Sequence, residues 1–251
     1  MKILEEVKKT IEYAAKFNCP LSLEELEQRL ISKKIYSKEE IRKIGASLGL
    51  KKNGNKFKLE KIKKAKQIAN LMVKKFKNIL FIGISGSVAA GYPKKNDDID
   101  IMLITKKDKL WLTRFQLRWY VFSKKIPHRR YGQKEKMNEF CFNLWLDEKS
   151  LAVEKSKQNL KNAMDLIMMI PIVNKNHIYE RFIQSNKWVK KYLATGYDNL
   201  DSRSLMIGCS KEKNNYLDEL VNKLFFGLQY WYMRKKIKGE KIGLHKAFFH
   251  P

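Results

Sequence analysis

Residues 83–103 read GISGSVAAGYPKKNDDIDIML, and this stretch limits what the chain can fold into more than any other. Ile79 to Ile84 has the apolar run of a buried strand, Ser85-Gly86-Ser87 supplies the small residues of a tight turn, and a second apolar run spans Ile99 to Thr105. Asp98 and Asp100 stand at the start of that second strand. Side chains two apart on a strand share a face, so the two carboxylates project together while Ile99 and Ile101 project into a core.

Two ionised carboxylates side by side repel each other, and a divalent cation turns that repulsion into binding. Mg²⁺ typically takes one or two carboxylates together with substrate phosphates and several waters. The turn suits the phosphate end of such a ligand. Backbone N–H groups of Gly86 and Ser87, with the Ser87 hydroxyl, can donate to phosphate oxygens because no bulky side chain stands in the way.

A strand, Gly-Ser, about ten residues and then Asp-x-Asp on the next strand resembles the nucleotidyltransferase superfamily that includes DNA polymerase beta, poly(A) polymerases, CCA-adding enzymes and antibiotic nucleotidyltransferases. Gly86, Ser87, Asp98 and Asp100 carry the match, which is specific over residues 78–105 and weaker to about residue 150. The resemblance implies an α+β fold, a mixed sheet flanked by helices. It also implies Mg²⁺ or Mn²⁺ held by Asp98 and Asp100, a nucleoside triphosphate as substrate, and pyrophosphate as leaving group. The family has a third carboxylate on a later strand, and the segment Glu139 to Leu146 alternates as that strand would. Its midpoint is Asn143, an amide that can approach the nucleotide or metal but cannot act as a base. Glu139, on the same face, and Asp147, after the strand, are the acids that can replace it. A basic residue must stabilise the leaving group. Lys94 and Lys95 before the acids, and Arg114 and Arg118 one turn apart on the next helix, are the candidates, with His128, Arg129 and Arg130 as a further basic cluster.

The formal charge of +27 points to a polyanionic partner such as RNA. Nine of the 53 basic residues are Arg, however, and the lysines are spread through every segment, so part of that charge reflects compositional bias. The three cysteines, Cys19, Cys141 and Cys209, lack CxxC spacing, which argues against zinc and disulfides. With no secretory leader and no run of 18 apolar residues, the expectation is a cytoplasmic protein without a membrane span.

Three parts follow from the pattern. Residues 1–60 contain an amphipathic helix over Ile3 to Phe17, capping boxes at Ser22/Glu25 and Ser37/Glu40, and a hairpin signal at Asn53-Gly54. Three helices and a hairpin predict a winged-helix-like module, with Ser37 to Leu48 as recognition helix and Lys51 to Lys58 as a basic wing, serving nucleic acid or protein docking. Residues 61–150 form the nucleotidyltransferase-like domain, including helices over Glu60 to Phe76 and Asp108 to Lys125. Residues 151–251 read as helical, over Ser156 to Ile170, His177 to Leu193 and Ser210 to Lys236. In the last of these Leu217, Leu220, Val221, Leu224, Phe225, Leu228 and Trp231 form a stripe expected in the core. His245 and His250 lack a nearby acid at ligand spacing.

The expected function is transfer of a nucleoside monophosphate to a hydroxyl, RNA favoured. The alternatives are a small-molecule or protein acceptor, as in antibiotic- or antitoxin-type transferases, and a catalytically inactive nucleic-acid-binding or regulatory protein. Elongation of labelled RNA separates the first from the second.

Overall fold

The sheet places every element that matters for the candidate site, and three of its strands coincide, within a residue, with the three read from sequence. In a computed structural model, residues 2–50, 55–129, 136–201, 216–237 and 239–249 are described. Strands β1 (Ile79–Ile84) and β2 (Ile99–Thr105) pair antiparallel, and β3 (Phe140–Asp147) joins β2 in parallel. Strand β4 (Ile170–Asn174) pairs with β1, while β5 (Lys241–Gly243) and β6 (Lys246–Phe248) form a hairpin on β3. The order is β4-β1-β2-β3-β6-β5, a mixed six-stranded sheet in an α+β architecture.

The two faces of β2 feed different cores. Ile99, Ile101 and Leu103 pack with α4 (Lys56–Lys75) and α6 (Leu110–Ser123), and Met233 at the end of α10 (Tyr216–Met233) joins them. Met102 and Ile104 face the other way, toward α7 (Leu160–Met168), α8 (Ile178–Gln184) and α9 (Ala194–Asp201). Alternation puts Asp98 and Asp100 on that second face.

Three N-terminal helices, α1 (Lys2–Ala15), α2 (Leu23–Arg29) and α3 (Lys38–Ser47), share a small core of Val7, Leu21, Leu26, Leu30 and Ile41. Both capping boxes form as read, with Ser22 and Ser37 accepting from the third helical N–H and Glu25 and Glu40 reaching back. The hairpin reading is corrected in its second half. Asn53-Gly54 lies outside the described residues, but Lys56–Leu59 is the first turn of α4, whose cap Asn55 accepts from Lys58 N–H at 3.0 Å. A good N-cap followed by amphipathic spacing outweighs local alternation.

The helical reading of residues 151–251 is also corrected, because three strands of the sheet come from it. The helix expected over Ser156 to Ile170 runs only from Leu160 to Met168, and Pro171 lies inside β4, opposite Gly83; that strand is at the sheet edge, where a proline's missing N–H is tolerated. The α10 stripe expected in the core is largely outside it. Leu220, Leu224, Leu228 and Trp231 are 53–68% exposed, and α10 packs on α6 through Asn222, Phe225, Phe226 and Gln229 instead.

Candidate metal and nucleotide site

The chain leaves β1 at Ser85, whose N–H donates to the Asp100 carbonyl at 3.0 Å, and turns at Gly86 into the short helix α5 (Gly86–Ala90). Gly86 has φ +64°, and a Cβ there would lie 2.0 Å from Asp100 Oδ2. Only glycine satisfies both the left-handed backbone and the contact. The Gly-Ser turn and the acid pair, ten residues apart in sequence, therefore touch.

Asp98 is buried, and Arg129 Nη1 lies 3.1 Å from its Oδ2. Asp100 Oδ1 accepts from Asn143 Nδ2 at 2.8 Å. The register pairs Asp100 with Cys141 and then slips, so Asn143 falls in the irregularity between Phe142 and Leu144. Ligand atoms of Asp98, Asp100 and Cys141 all lie within 4.8 Å of one another, so this group could hold a metal ion. Burial, then the charges of Asp100 and Asp98, hold the Cys141 thiol protonated far above its ordinary range. It therefore offers no soft thiolate, and the donor set is two hard carboxylates suited to Mg²⁺ or Mn²⁺ rather than zinc. Asn143 Oδ1, on the side chain that donates to Asp100, and Glu139 Oε2, at the same end of β3, are buried without a hydrogen-bond partner, so both oxygens could serve a cation.

The third-acid question is partly settled by the register. Glu139 immediately precedes β3, and its carbonyl accepts from Ile99 N–H at 2.8 Å, which places it at the acid end. Asp147 pairs with Thr105 at the opposite end, six residues beyond Cys141. That is about 20 Å at 3.3 Å per residue. Asp147 is therefore excluded as a replacement ligand.

Among the basic candidates, Arg129 reaches the acids. Lys94 is exposed, and its loop is pinned by Lys61, a buried ammonium that donates to the carbonyls of Asp97 at 2.6 Å and Lys95 at 3.3 Å. Arg114 is withdrawn from the site. It lies in the α4/α6/α10 layer on the other face, bonded to Gln229 Oε1 at 2.5 Å and stacked 4.5 Å over Phe249. Burial pushes its pKa down, with the neighbouring Arg118 adding to the effect. Arg118, one turn on, belongs to the same helix and the same layer. Arg130 lies outside the described residues.

A cavity of about 270 Å³ opens beside the turn, lined by Gly86, Ser87, Tyr13, Phe17, Lys161 and Asp165. Asp165 on α7 is the residue that sequence reading missed. Its carboxyl is raised to about 6 chiefly by burial, with Lys161 lowering it and the charge of Asp100 raising it further. The legible signal was a lone acid inside the apolar run Ala163-Met-Asp-Leu-Ile-Met168. The N-terminal helices form the cavity's other wall and brace its turn. Arg29, buried in α2, donates to the Ala90 carbonyl at 2.9 Å, and Glu25 packs so closely on Gly91 that a Cβ there would lie 2.1 Å from Oε1.

A second group that could hold an ion, Asp108, Asp147 and His245, sits at the far end of β3. His245 does have an acid beside it, with Nδ1 2.8 Å from Asp147 Oδ2, although 98 residues separate them. Spacing in the sequence could not reveal that pair, because the β5–β6 hairpin delivers His245 from the chain's end. Among the described residues no helix is long and apolar enough to cross a membrane. Compared with protein-family models, curated proteins and solved structures, the chain matches none.

Proposed function

We propose that this chain is a metal-dependent nucleotidyltransferase that moves a nucleoside monophosphate from a triphosphate to a hydroxyl, RNA favoured, and releases pyrophosphate. The observation that carries this reading is the contact of Gly86 with Asp100, beside Asp98 and on the edge of a cavity. One short segment thereby offers phosphate-facing N–H groups and two hard ligands at the same point.

Asp98 and Asp100 would hold Mg²⁺ or Mn²⁺, which when bound lowers the pKa of a hydroxyl and neutralises triphosphate charge. Gly86 and Ser87 would orient the phosphates through their N–H groups and the serine hydroxyl. Arg129, now paired with Asp98, can swing its planar donors to the leaving phosphates once that carboxylate has another counter-charge. The Tyr13 and Phe17 rings, with centroids 5.3 Å apart, give the cavity an apolar wall suited to a base. Asp165, with its raised pKa, is a carboxyl suited to accepting the acceptor's proton, the role that Asn143 cannot fill. Asn143 also favours a second reading, a nucleotide-binding protein without turnover, because its NH₂ donates to Asp100 where the family has a carboxylate.

The test is incubation with each α-labelled triphosphate, Mg²⁺ or Mn²⁺ and total RNA, beside an Asp98→Asn/Asp100→Asn variant. Labelled RNA and pyrophosphate that the variant abolishes are expected. Pyrophosphate without labelled RNA redirects the acceptor to a small molecule or protein, and neither product with either metal sinks the reading in favour of a binding protein.

A further inference from the structure

Helix α10 is apolar on two opposite faces. One packs on α6, and the other carries Leu220, Leu224, Leu228 and Trp231, each more than half exposed. On α6, Phe115 and Trp119 are 47% and 68% exposed, and Phe115 meets Phe225 of α10 at 5.0 Å, so the two surfaces join. At roughly 150–250 Å² per large side chain, these six leave on the order of 600 Å² of apolar surface outside. That is the upper end for the largest patch on a monomer, and it approaches the roughly 800 Å² each partner buries in a stable complex.

Area and shape say what fits there. The acids of the first turn of α10 are taken within the chain, Asp218 by Lys109 at 2.5 Å and Glu219 by Lys223 at 2.7 Å, which leaves the exposed line from Leu220 to Trp231 apolar. A second α10 laid antiparallel covers that line along its length and opposes the helix dipoles favourably. The axis relating the copies then falls close to the middle of the line, beside Gly227. That glycine is otherwise costly. A mid-helix Gly loses about 1 kcal/mol against Ala, yet a Cβ at Gly227 would meet nothing within 4 Å of the same chain. It falls on the exposed line, three residues after Leu224 and four before Trp231, where absence of a side chain lets two helices approach closely.

We propose that α10, flanked by α6, is a homodimer interface in which two copies pair antiparallel about an axis at Gly227. This surface lies on the sheet face opposite the acids, so the inference stands apart from the proposed activity. An isologous pairing is the commonest closed assembly and covers the whole patch at once.

The test is sedimentation velocity of the full chain from 1 to 100 µM under reducing conditions, with Leu224→Glu, Trp231→Glu and the control Leu59→Glu, a 70%-exposed leucine on α4. Expected are twice the chain mass for parent and control, and a more than tenfold weaker association for the two α10 variants with unchanged circular dichroism. Gly227→Cys, oxidised, should form an interchain disulfide that the parent does not. A parent that stays monomeric, a dimer that survives Leu224→Glu, or a Gly227→Cys chain that never cross-links overturns the proposal. A monomer that co-sediments with anionic vesicles through Leu224 and Trp231 also overturns it, and makes the patch a membrane surface.

Discussion

Replacing Asp165 by Asn should stabilise the protein at neutral pH and leave it unchanged in acid. The Asp165 carboxyl is raised from 3.8 to about 6, first by burial and further by Asp100. A group whose folded pKa is raised favours folding while protonated; its contribution is complete below the ordinary Asp value and is lost as pH rises through about 6. About two units at 1.36 kcal/mol each give an upper figure of about 3 kcal/mol. The side chain is only half-buried, so solvent screening reduces the expected gain to about 1–2 kcal/mol. Asparagine is uncharged throughout, so in EDTA at pH 7.5 the variant should melt about 3–6 °C higher, whereas at pH 3, below the ordinary Asp value, the two proteins should coincide. A variant no more stable than the parent at pH 7.5, or equally stabilised at both pH values, would refute the electrostatic argument. If Asp165 also takes the acceptor's proton, the stabilised variant should be the slower enzyme, the usual exchange at a strained site.

Gly86→Ala should destabilise by about 2–4 kcal/mol, because alanine pays the left-handed backbone penalty and drives its Cβ into Asp100. Mn²⁺ binding followed by electron paramagnetic resonance should weaken with it; unchanged binding and an unchanged urea midpoint would show that the turn and the acid do not constrain each other. Glu154, hydrogen-bonded by Lys246 and Lys241, is held down to about 2. Its contribution is present above the ordinary Glu value and fades as pH falls toward 2, so the urea midpoints of parent and Glu154→Gln should differ at pH 6 and converge in acid. Midpoints that diverge as pH falls would contradict the pairing.

Local signals carried far where the deciding physics was local. The strands Ile79–Ile84 and Ile99–Thr105 and both capping boxes were legible, because alternation and cap chemistry act within a few residues. The hairpin at Asn53-Gly54 failed on its second half because the Asn55 cap started a helix there. Strands β4, β5 and β6 were missed because segments of five, three and three residues carry little pattern of their own, and the sheet rather than their sequence makes them strands. The α10 stripe has core periodicity without core burial, since a period reports an apolar face and not what covers it.

The sequence by itself determined that Asp98 and Asp100 share a face after a glycine turn, because strand geometry fixes side-chain direction at a spacing of two. Only the tertiary structure decided which groups meet them. Cys141 and Asn143 arrive by the parallel register of β3, Arg129 by the segment leading into it, and Asp165 by the docking of α7. The same register carried Asp147 to the far end of the sheet, and the packing of α6 turned Arg114 to the opposite face. Electrostatic partners act over a few ångströms of space, and separations of thirty to seventy residues in sequence hold no record of that distance until the chain has packed.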